Sequence, residues 1–299
     1  MAKSRQPFTH LPVGPWPRGM VNTVREDRTP VAGLMDAVNV NIRRDGTAYS
    51  QPEWESAFAG EMARDLFKHA GRVFCVLGSD LVELDSGGAT PLMSDTGPVN
   101  WTVLNDLPVF CTRESVYQIN DAVIEQVSGV VVDDQDLDDV LVPLPGGQWV
   151  DYWNGRLLVA RGHSLLFSQP LRFGAHNPLT DYIRFPTKIE WMAPLERGIY
   201  VGLRGSVQFL GGETPAELRQ IRVASESAPG MGMTVSSEFV DDQVATAPHV
   251  AVFFTSSGFT IGLPDGRVVY PQKTLLRDLP LFRGKLIQEG SRIFAIRGL

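Results

Sequence analysis

The chain has 299 residues, a formal net charge of −7 at pH 7 and 43 % hydrophobic residues. This hydrophobic content is enough for a packed core. The acidic balance excludes a general surface for duplex DNA, which needs clustered Lys and Arg. The N-terminus lacks the apolar core of a secretory signal, and no apolar run approaches the roughly 20 residues of a membrane-spanning helix. We therefore expect a soluble protein without membrane insertion.

The N-terminal region divides into an arm and a strand pair. Residues 1–30 are rich in proline and charge and show no periodicity, which predicts an extended arm, either a disordered tail or an arm laid along a neighbouring subunit. Apolar residues alternate with polar ones near residues 37–50, and Asp45-Gly46 is a strong hairpin signal, so two strands are expected there. A short helix is expected around residues 61–69.

From residue 71 onward, short runs of β-forming residues meet at turns and reverse, which is typical of antiparallel hairpins. Six such hairpins have turns at Gly78, Glu114, Gly162, Gly205, Gly258 and Gly290. The turns are about 42 residues apart on average, a period typical of propeller blades of four strands. The pattern predicts an all-β fold: a β-propeller of about six irregular four-stranded blades, in a single domain spanning residues 31–299. Two β-sandwich domains are the alternative.

The sixth hairpin ends at the C-terminus, so its blade lacks outer strands. The strands near residues 37–50 have no blade of their own, and joining the two would close the ring and hide the exposed strand edges. Cys75 and Cys111 each lie in an apolar strand-like run and are expected to be reduced core residues.

Two long loops are predicted, near residues 127–150 and 222–248, and loops of this length are usually functional or mobile. They contain the candidate assembly or channel residues, which are Asp133, Asp134, Asp136, Asp138, Asp139, Met231 and Met233. The aspartates begin with the spacing of a calcium loop. However, Asp139 stands where that loop needs Gly and Pro145 where it needs Glu, which favours a solvated acidic loop. The Met and Gly loop is expected to be a flexible contact surface.

Catalytic motifs are absent from the sequence: there is no nucleophile elbow, phosphate-binding Gly loop or metal-spaced Cys and His cluster. The histidines are scattered, and His163 and His176 are expected to be surface or hydrogen-bonded residues. A pair of carboxylates for glycan hydrolysis would have to come from residues such as Asp85, Asp151, Glu190 and Glu196. We expect no enzyme activity, no catalytic residue, no cofactor and no metal.

The order of several turn-and-strand phrases resembles the propeller-type tail nozzle or hub proteins of tailed bacteriophages. The phrases are Gly33–Ile42, Leu166–Pro170, Phe173–Pro178, Tyr182–Pro186, Gly198–Gly202, Phe209–Pro215, Ser257–Phe259 and Pro264–Gly266. The resemblance covers about residues 33–272. This chain is shorter than the larger nozzle proteins of that family, which leaves little room for a further distal domain.

The resemblance implies a structural protein of the virion tail, made in the host cytoplasm: a nozzle, a hub or a ring next to the adaptor. It implies self-association into a ring, six copies being the usual symmetry, contacts with neighbouring tail proteins, and a channel for DNA ejection into the host. DNA would be passing cargo without specific binding. An acidic wall, including Asp133–Asp139, would disfavour adhesion of phosphate.

Two other functions are compatible with a propeller. One is an interaction scaffold that binds a partner peptide across one ring face. The other is a glycan-binding or glycan-cleaving tail protein, for which Trp149, Tyr152, Trp153 and Trp191 are candidate sugar platforms. The alternative expectation for these aromatic residues is packing in the core and at interfaces.

Overall fold

A computed structural model of the chain describes residues 40–42, 48–50, 63–85, 88–127, 141–239, 247–271, 278–289 and 292–297. It contains five consecutive four-stranded antiparallel sheets, which we call blades 1 to 5. A two-stranded hairpin precedes them and another follows them. The predicted arm of residues 1–30 lies outside the described residues.

The strands follow in chain order. The first hairpin consists of β1 (Val40–Ile42) and β2 (Ala48–Ser50). Blade 1 consists of β3 (Ala63–His69), β4 (Arg72–Leu77), β5 (Asp80–Asp85) and β6 (Gly88–Met93). Blade 2 consists of β7 (Asn100–Leu104), β8 (Leu107–Cys111), β9 (Val116–Asn120) and β10 (Val123–Gln126).

Blade 3 consists of β12 (Trp149–Trp153), β13 (Arg156–Arg161), β14 (Ser164–Phe167) and β16 (Tyr182–Arg184). Beside it, β11 (Val142–Pro143) pairs with β15 (Ala175–His176). Blade 4 consists of β17 (Ile189–Leu195), β18 (Gly198–Leu203), β19 (Ser206–Gly211) and β20 (Arg219–Ala224). Blade 5 consists of β21 (Gly232–Ser236), β22 (His249–Thr255), β23 (Gly258–Gly262) and β24 (Val268–Val269), and the last hairpin of β25 (Gly284–Glu289) and β26 (Arg292–Arg297). Two short 3-10 helices occur at Pro215–Glu217 and Ser237–Phe239.

The six predicted hairpins are all present. In blades 1 to 5 each forms the second and third strands, and the registers close tightly around the turns. Leu77 pairs with Asp80 around Gly78, and Arg161 pairs with Ser164 around Gly162. Both glycines have a φ of 61°, a backbone conformation that side chains with a Cβ disfavour. Turn chemistry therefore sets these registers.

The first strands of the blades form a ring. The Val99 amide, just before β7, donates to the Asp65 carboxylate in β3, and the Val150 amide in β12 donates to Asn100 in β7. Trp153 in β12 donates to the Leu195 carbonyl in β17. The ring continues from β17 to β21, because the Thr234 hydroxyl donates to the Pro194 carbonyl, and from β21 to β25, which lie side by side.

The ring closes between β25 and β3, where the Lys285 ammonium binds the Asp65 carboxylate. The strand β25 therefore occupies a first-strand position, and the last hairpin supplies the first and second strands of a sixth blade. The structure gives β1 and β2 as a separate hairpin, and their joining to the sixth blade stays a prediction.

The core lies between neighbouring blades. Each of five hydrophobic clusters joins residues of one blade to residues of the next, from blade 1 through to the last hairpin. Middle strands are packed on both faces, which is why all six residues of β18 are buried. Cys75 and Cys111 are fully buried in β4 and β8, as predicted. This arrangement shows that the alternative of two sandwich domains is wrong.

Three predicted local features differ from the structure. The segment predicted as a helix at residues 61–69 contains β3, because its apolar residues pack as a strand against β4. The predicted loop 222–248 contains the end of β20, all of β21 and a 3-10 helix. The predicted loop 127–150 contains β11 and the start of β12.

Trp191 joins blades 4 and 5 and needs glycine on two sides. Its indole N–H donates to the Ser227 hydroxyl at 3.0 Å, and its ring stacks on Phe253 at a centroid distance of 5.2 Å. A Cβ at Gly202 or at Gly232 would overlap the indole ring. The two glycines therefore provide the space in which this fully buried ring lies.

Replacing Gly232 by Ala is expected to lower the free energy of unfolding by about 1–3 kcal/mol, because the methyl group overpacks the Trp191 ring. Urea denaturation measures this. In a Trp191→Leu background the same Gly232→Ala change should cost less, because the smaller side chain leaves room. An equal cost in both backgrounds would contradict the contact as described.

Candidate assembly surface on the third blade

Blade 3 carries an insert between β14 and β16, formed by residues 168–181, which we call the blade 3 insert. Most of it falls within two of the sequence phrases quoted above, Leu166–Pro170 and Phe173–Pro178. Its short strand β15 turns back and pairs with β11, so that Val142 faces His176. The insert is therefore held to the segment that precedes blade 3 as well as to blade 3 itself.

Asp181 holds the C-terminal end of the insert in place. Its side chain is buried, and its carboxylate accepts the Asn177 amide at 2.8 Å and the Gln169 side-chain amide. Its own amide donates to the Asn177 carbonyl at 2.9 Å, and its carbonyl accepts the Phe167 amide. The Asn177 side chain in turn accepts the Leu179 amide at 2.9 Å. These bonds satisfy the buried polar groups of the loop and restrict its conformation.

Ser168 and Arg156 hold the other end of the insert. Ser168 is fully buried, and its hydroxyl accepts the Leu157 amide at 2.9 Å and donates to the Gln169 carbonyl. The Arg156 guanidinium donates to the Ser168 carbonyl at 2.6 Å. Burial lowers the pKa of Arg156, and the charge of Asp181 acts in the opposite direction. The N-terminal end of the insert is therefore anchored to β13, and its C-terminal end is anchored to Phe167 at the end of β14.

His176 lies inside the insert and not on the surface. It is 5 % exposed, and its Nδ1 atom has no hydrogen-bond partner among the described residues. Burial lowers the pKa of the imidazole, and backbone hydrogen bonds with Val142 and Pro143 and the charge of Asp181 offset this in part. The ring is therefore neutral at pH 7 and acts as a packed, uncharged side chain. His163, in contrast, is exposed in its hairpin turn, as expected.

The anchored insert presents large apolar side chains to solvent. Leu171 is 76 % exposed and Leu179 is 73 % exposed, the two highest values among the large hydrophobic residues of the described chain. Tyr182, which directly follows the insert, is 44 % exposed. Tyr152, which lies in β12 next to the insert, is 42 % exposed. The Tyr152 ring lies 6.3 Å from the Phe173 ring. Apolar side chains held out on a rigid scaffold are typical of a surface that contacts another protein.

The residues nominated from the sequence for assembly or for the channel fall into two groups. Asp133, Asp134, Asp136, Asp138 and Asp139 lie outside the described residues. Met231 is fully buried, and Met233 lies in β21 and packs against the apolar cluster between blade 5 and the last hairpin. The expectation of a flexible Met and Gly contact loop was therefore wrong, because this segment forms the first strand of blade 5.

The carboxylates considered for glycan hydrolysis have separate partners. Asp151 accepts the Thr102 hydroxyl at 3.0 Å, Glu190 binds Arg283 at 2.8 Å, and Glu196 binds His249 at 2.5 Å. Asp85 is the exposed last residue of β5. The structure shows no hydrogen bond or ion pair that joins any two of them within the described part of the chain.

The aromatic residues considered as sugar platforms are mostly inside. Trp153 and Trp191 are buried, and Trp149 packs against the clusters on both sides of blade 4. Only Tyr152 of the four is exposed. Packing in the core, the alternative expectation, is thus confirmed for the three tryptophans.

The insert residues Gln169, Leu171, Leu179 and Asp181 were not singled out from the sequence. The available signal was the pair of prolines at positions 170 and 178, each preceded by an amide side chain, since such dipeptides mark turns. The pattern does not show which of these polar side chains are buried together, because this depends on how the loop docks on β13.

Comparison with known proteins finds likeness in fold alone. No family model and no curated protein matches the chain. The extracellular domain of the one-component system BT4673 from B. thetaiotaomicron is similar with a TM-score of 0.51 and 8 % identity, over 84 % of this chain and 34 % of that chain. This chain thus spans about a third of that protein.

Two further solved structures are similar at lower scores. BBS1N in its complex with ARL6DN has a TM-score of 0.48 and 13 % identity, over 76 % of this chain and 71 % of that one. The WD40 domain of Neurospora crassa Pan2 has a TM-score of 0.44 and 10 % identity, over 71 % of this chain and 69 % of that one.

The fold is decided by the four-stranded antiparallel sheets, whose first strands form a ring. The chain is a β-propeller.

The described part of the propeller contains no group of three or more His, Cys, Asp or Glu side chains placed to hold a metal ion. A search of its helices for one long and apolar enough to cross a membrane also found none.

The Asp151 carboxylate, on the first strand of blade 3, has a pKa that is markedly shifted. Burial raises its pKa to about 6, and hydrogen bonds from Tyr152 and Thr102 oppose this rise.

Replacing Asp151 by Asn is expected to stabilise the propeller at pH 7. A carboxyl whose pKa is raised from 3.8 to about 6 on folding destabilises the native state when ionised, and this cost disappears as the pH falls from about 6 towards 4. We expect a gain of about 1 kcal/mol at pH 7 that vanishes near pH 4, measured by urea denaturation across this range.

The amide oxygen that Asp151→Asn introduces would still accept both hydrogen bonds, so packing is preserved. Glu114→Gln, in an exposed turn, controls for the loss of one negative charge. A loss of stability at pH 7, or an unchanged pH profile, would contradict the raised pKa.

Proposed function

We propose that this propeller is a structural subunit of a bacteriophage tail: a nozzle, a hub or a ring next to the adaptor. Several copies form a ring whose channel carries DNA into the host during ejection. The role is mechanical and not enzymatic. Its partners are other copies of itself and the neighbouring tail proteins, and its location is the tail of the virion.

The observation that carries this proposal is the blade 3 insert. The sequence phrases that resemble tail nozzle and hub proteins, Leu166–Pro170, Phe173–Pro178 and Tyr182–Pro186, fold into one anchored structure. Its buried polar groups bond to one another, and its leucines point outward. A loop of this kind supports stable contact with another protein, because little conformational entropy is lost on binding.

The remaining phrases support the same proposal from the elements on which they fall. Gly198–Gly202 forms most of β18, and Phe209–Pro215 runs from β19 into the first 3-10 helix. The phrase Gly33–Ile42 ends in β1. In each case the resemblance covers strands and turns of a propeller and no candidate catalytic group. This supports a family likeness in architecture and a structural role.

The proposed channel requires DNA to pass without adhering. A chain with a formal net charge of −7 repels phosphate on average. DNA is therefore cargo in this proposal and not a specific ligand. The contacts that hold the ring in the tail come from apolar surfaces and from complementary charges on the outside of the propeller.

Gold labelling of tailed particles, from a lysate of cells producing the protein, tests the location. With an antibody proven to bind the native protein, we expect label at the tail, with several grains per particle. Intact particles without label would contradict the tail role and favour a scaffold or a glycan-binding propeller instead.

A second experiment tests the surface. Leu171→Ser combined with Leu179→Ser is expected to reduce incorporation into tails about tenfold or more, because each leucine loses burial worth about 1.5–3 kcal/mol. Leu66→Ser is the matched control, since Leu66 is 51 % exposed on blade 1, away from the insert. Equal incorporation of both variants would contradict the insert as the assembly surface.

A further inference from the structure

The outer edges of the blades are protected to different degrees. The fourth strand of each blade has one edge without a pairing strand in the described part of the chain. An unpaired edge is a potential site for pairing with another chain, and proteins usually blunt it. In blade 1 the edge strand β6 contains Pro91 and a register irregularity. In blades 3 and 5 the edge strands have only three and two residues.

The edges of blades 2 and 4 are longer than those of blades 3 and 5 and lack the proline of blade 1, although β20, like β6, has a register irregularity. The strand β10 has four residues and β20 has six, and neither contains proline. Each exposes a β-branched apolar side chain: Val123 is 57 % exposed in β10 and Ile221 is 56 % exposed in β20. These are two of the seven large hydrophobic residues that the described chain exposes.

The two edges carry opposite charges. Exposed Asp121 and Glu125 lie at β10, and exposed Arg219 and Arg222 lie on β20. None of the four side chains forms an ion pair within the described part of the chain. Like edges therefore repel one another, whereas a β10 edge and a β20 edge attract.

The partners of Glu125 and Arg222 leave both charges available. The Glu125 carboxylate accepts a hydrogen bond from the neutral Gln118 amide at 3.2 Å. The Arg222 guanidinium lies 3.4 Å from the Gly205 carbonyl and 3.5 Å from the Ser225 carbonyl, both uncharged groups. Each charge is thus held along its strand without being neutralised.

The positions of the two edges suit a closed ring of copies. Blades 2 and 4 are two positions apart, which in a propeller of six blades is an angle of about 120°. This is also the angle between the two neighbours of any subunit in a ring of six. Both strands are fourth strands of their blades and run in the same direction along the propeller axis, so in copies with parallel axes the two edges would meet in parallel.

We infer that the β10 edge of one copy docks on the β20 edge of the next copy, with Val123 against Ile221 at the centre and Glu125 opposite Arg219 and Arg222. The contact is heterologous, so each copy uses both edges and the ring closes. This deepens the proposed function by naming the self-contact of the ring, and it rests on that proposal for the number of copies.

Charge exchange on the purified full chain tests the contact, with mass photometry at low salt as the readout. We expect the wild type to form a ring, and Glu125→Arg or Arg222→Glu each to weaken every interface about tenfold or more, because one attraction becomes a repulsion. Salt should also weaken the wild-type ring. Glu114→Arg makes the same charge change in an exposed turn of blade 2 and should leave the ring intact.

Two restorations make the test specific. The double variant with Glu125→Arg and Arg222→Glu restores the opposite charges at every interface and should form rings again. An equal mixture of the two single variants should also form rings, with the variants alternating. Circular dichroism of each variant confirms that these exposed substitutions leave the fold unchanged.

Three outcomes would overturn the inference: a monomeric wild type at the concentrations used, rings that survive both single reversals, or failure of both restorations. The proposed function is tested separately. If gold labels the tails but rings still form despite the charge reversals, this contact is excluded and the tail role stands. If ring formation responds to the charge exchange as expected but tails carry no label, the contact stands and the tail role is excluded.

Discussion

Closure of the ring of first strands at Asp65 is the constraint on which the rest of the structure depends. One Asp65 carboxylate oxygen accepts the Val99 amide at 3.0 Å, the other binds Lys285, and the Asp65 carbonyl accepts the Trp101 indole at 2.8 Å. This residue thus joins blades 1 and 2 and the last hairpin. Its φ of 57° and the register irregularity beside it turn the side chain towards these partners.

The interfaces around the ring are bridged by hydrogen bonds of two kinds. Between blades 1, 2 and 3 the side chains of Asp65 and Asn100 accept backbone amides near the first strands, which need acceptors. Between blades 3, 4 and 5 the indoles of Trp153 and Trp191 donate instead, to the Leu195 carbonyl and the Ser227 hydroxyl, and they also fill the space between the blades. Since these contacts hold the blades from inside, the outer edges and the blade 3 insert remain available for other chains.

The sequence predicts the repeated part of this fold well, because turns and alternation are local. Gly78 and Gly162 mark their hairpins through the conformation that the turns require. Closure is not local: Asp65 and Lys285 are 220 positions apart, and no pattern links them. The first strand β3 resembled a helix, because its bulge breaks the alternation. Burial of His176 and of Met231 depends on docking between segments, which composition does not reveal.

The coupling free energy between Asp65 and Lys285 tests ring closure most directly. Urea denaturation of the wild type, Asp65→Asn, Lys285→Met and the double variant gives this value, and the amide oxygen that Asp65→Asn introduces would still accept the Val99 amide. Lys285 is 37 % exposed and Asp65 only 9 %, so we predict a coupling of about 1 kcal/mol, partly reduced by solvent. Additive effects, within about 0.3 kcal/mol, would contradict closure of the ring through this contact.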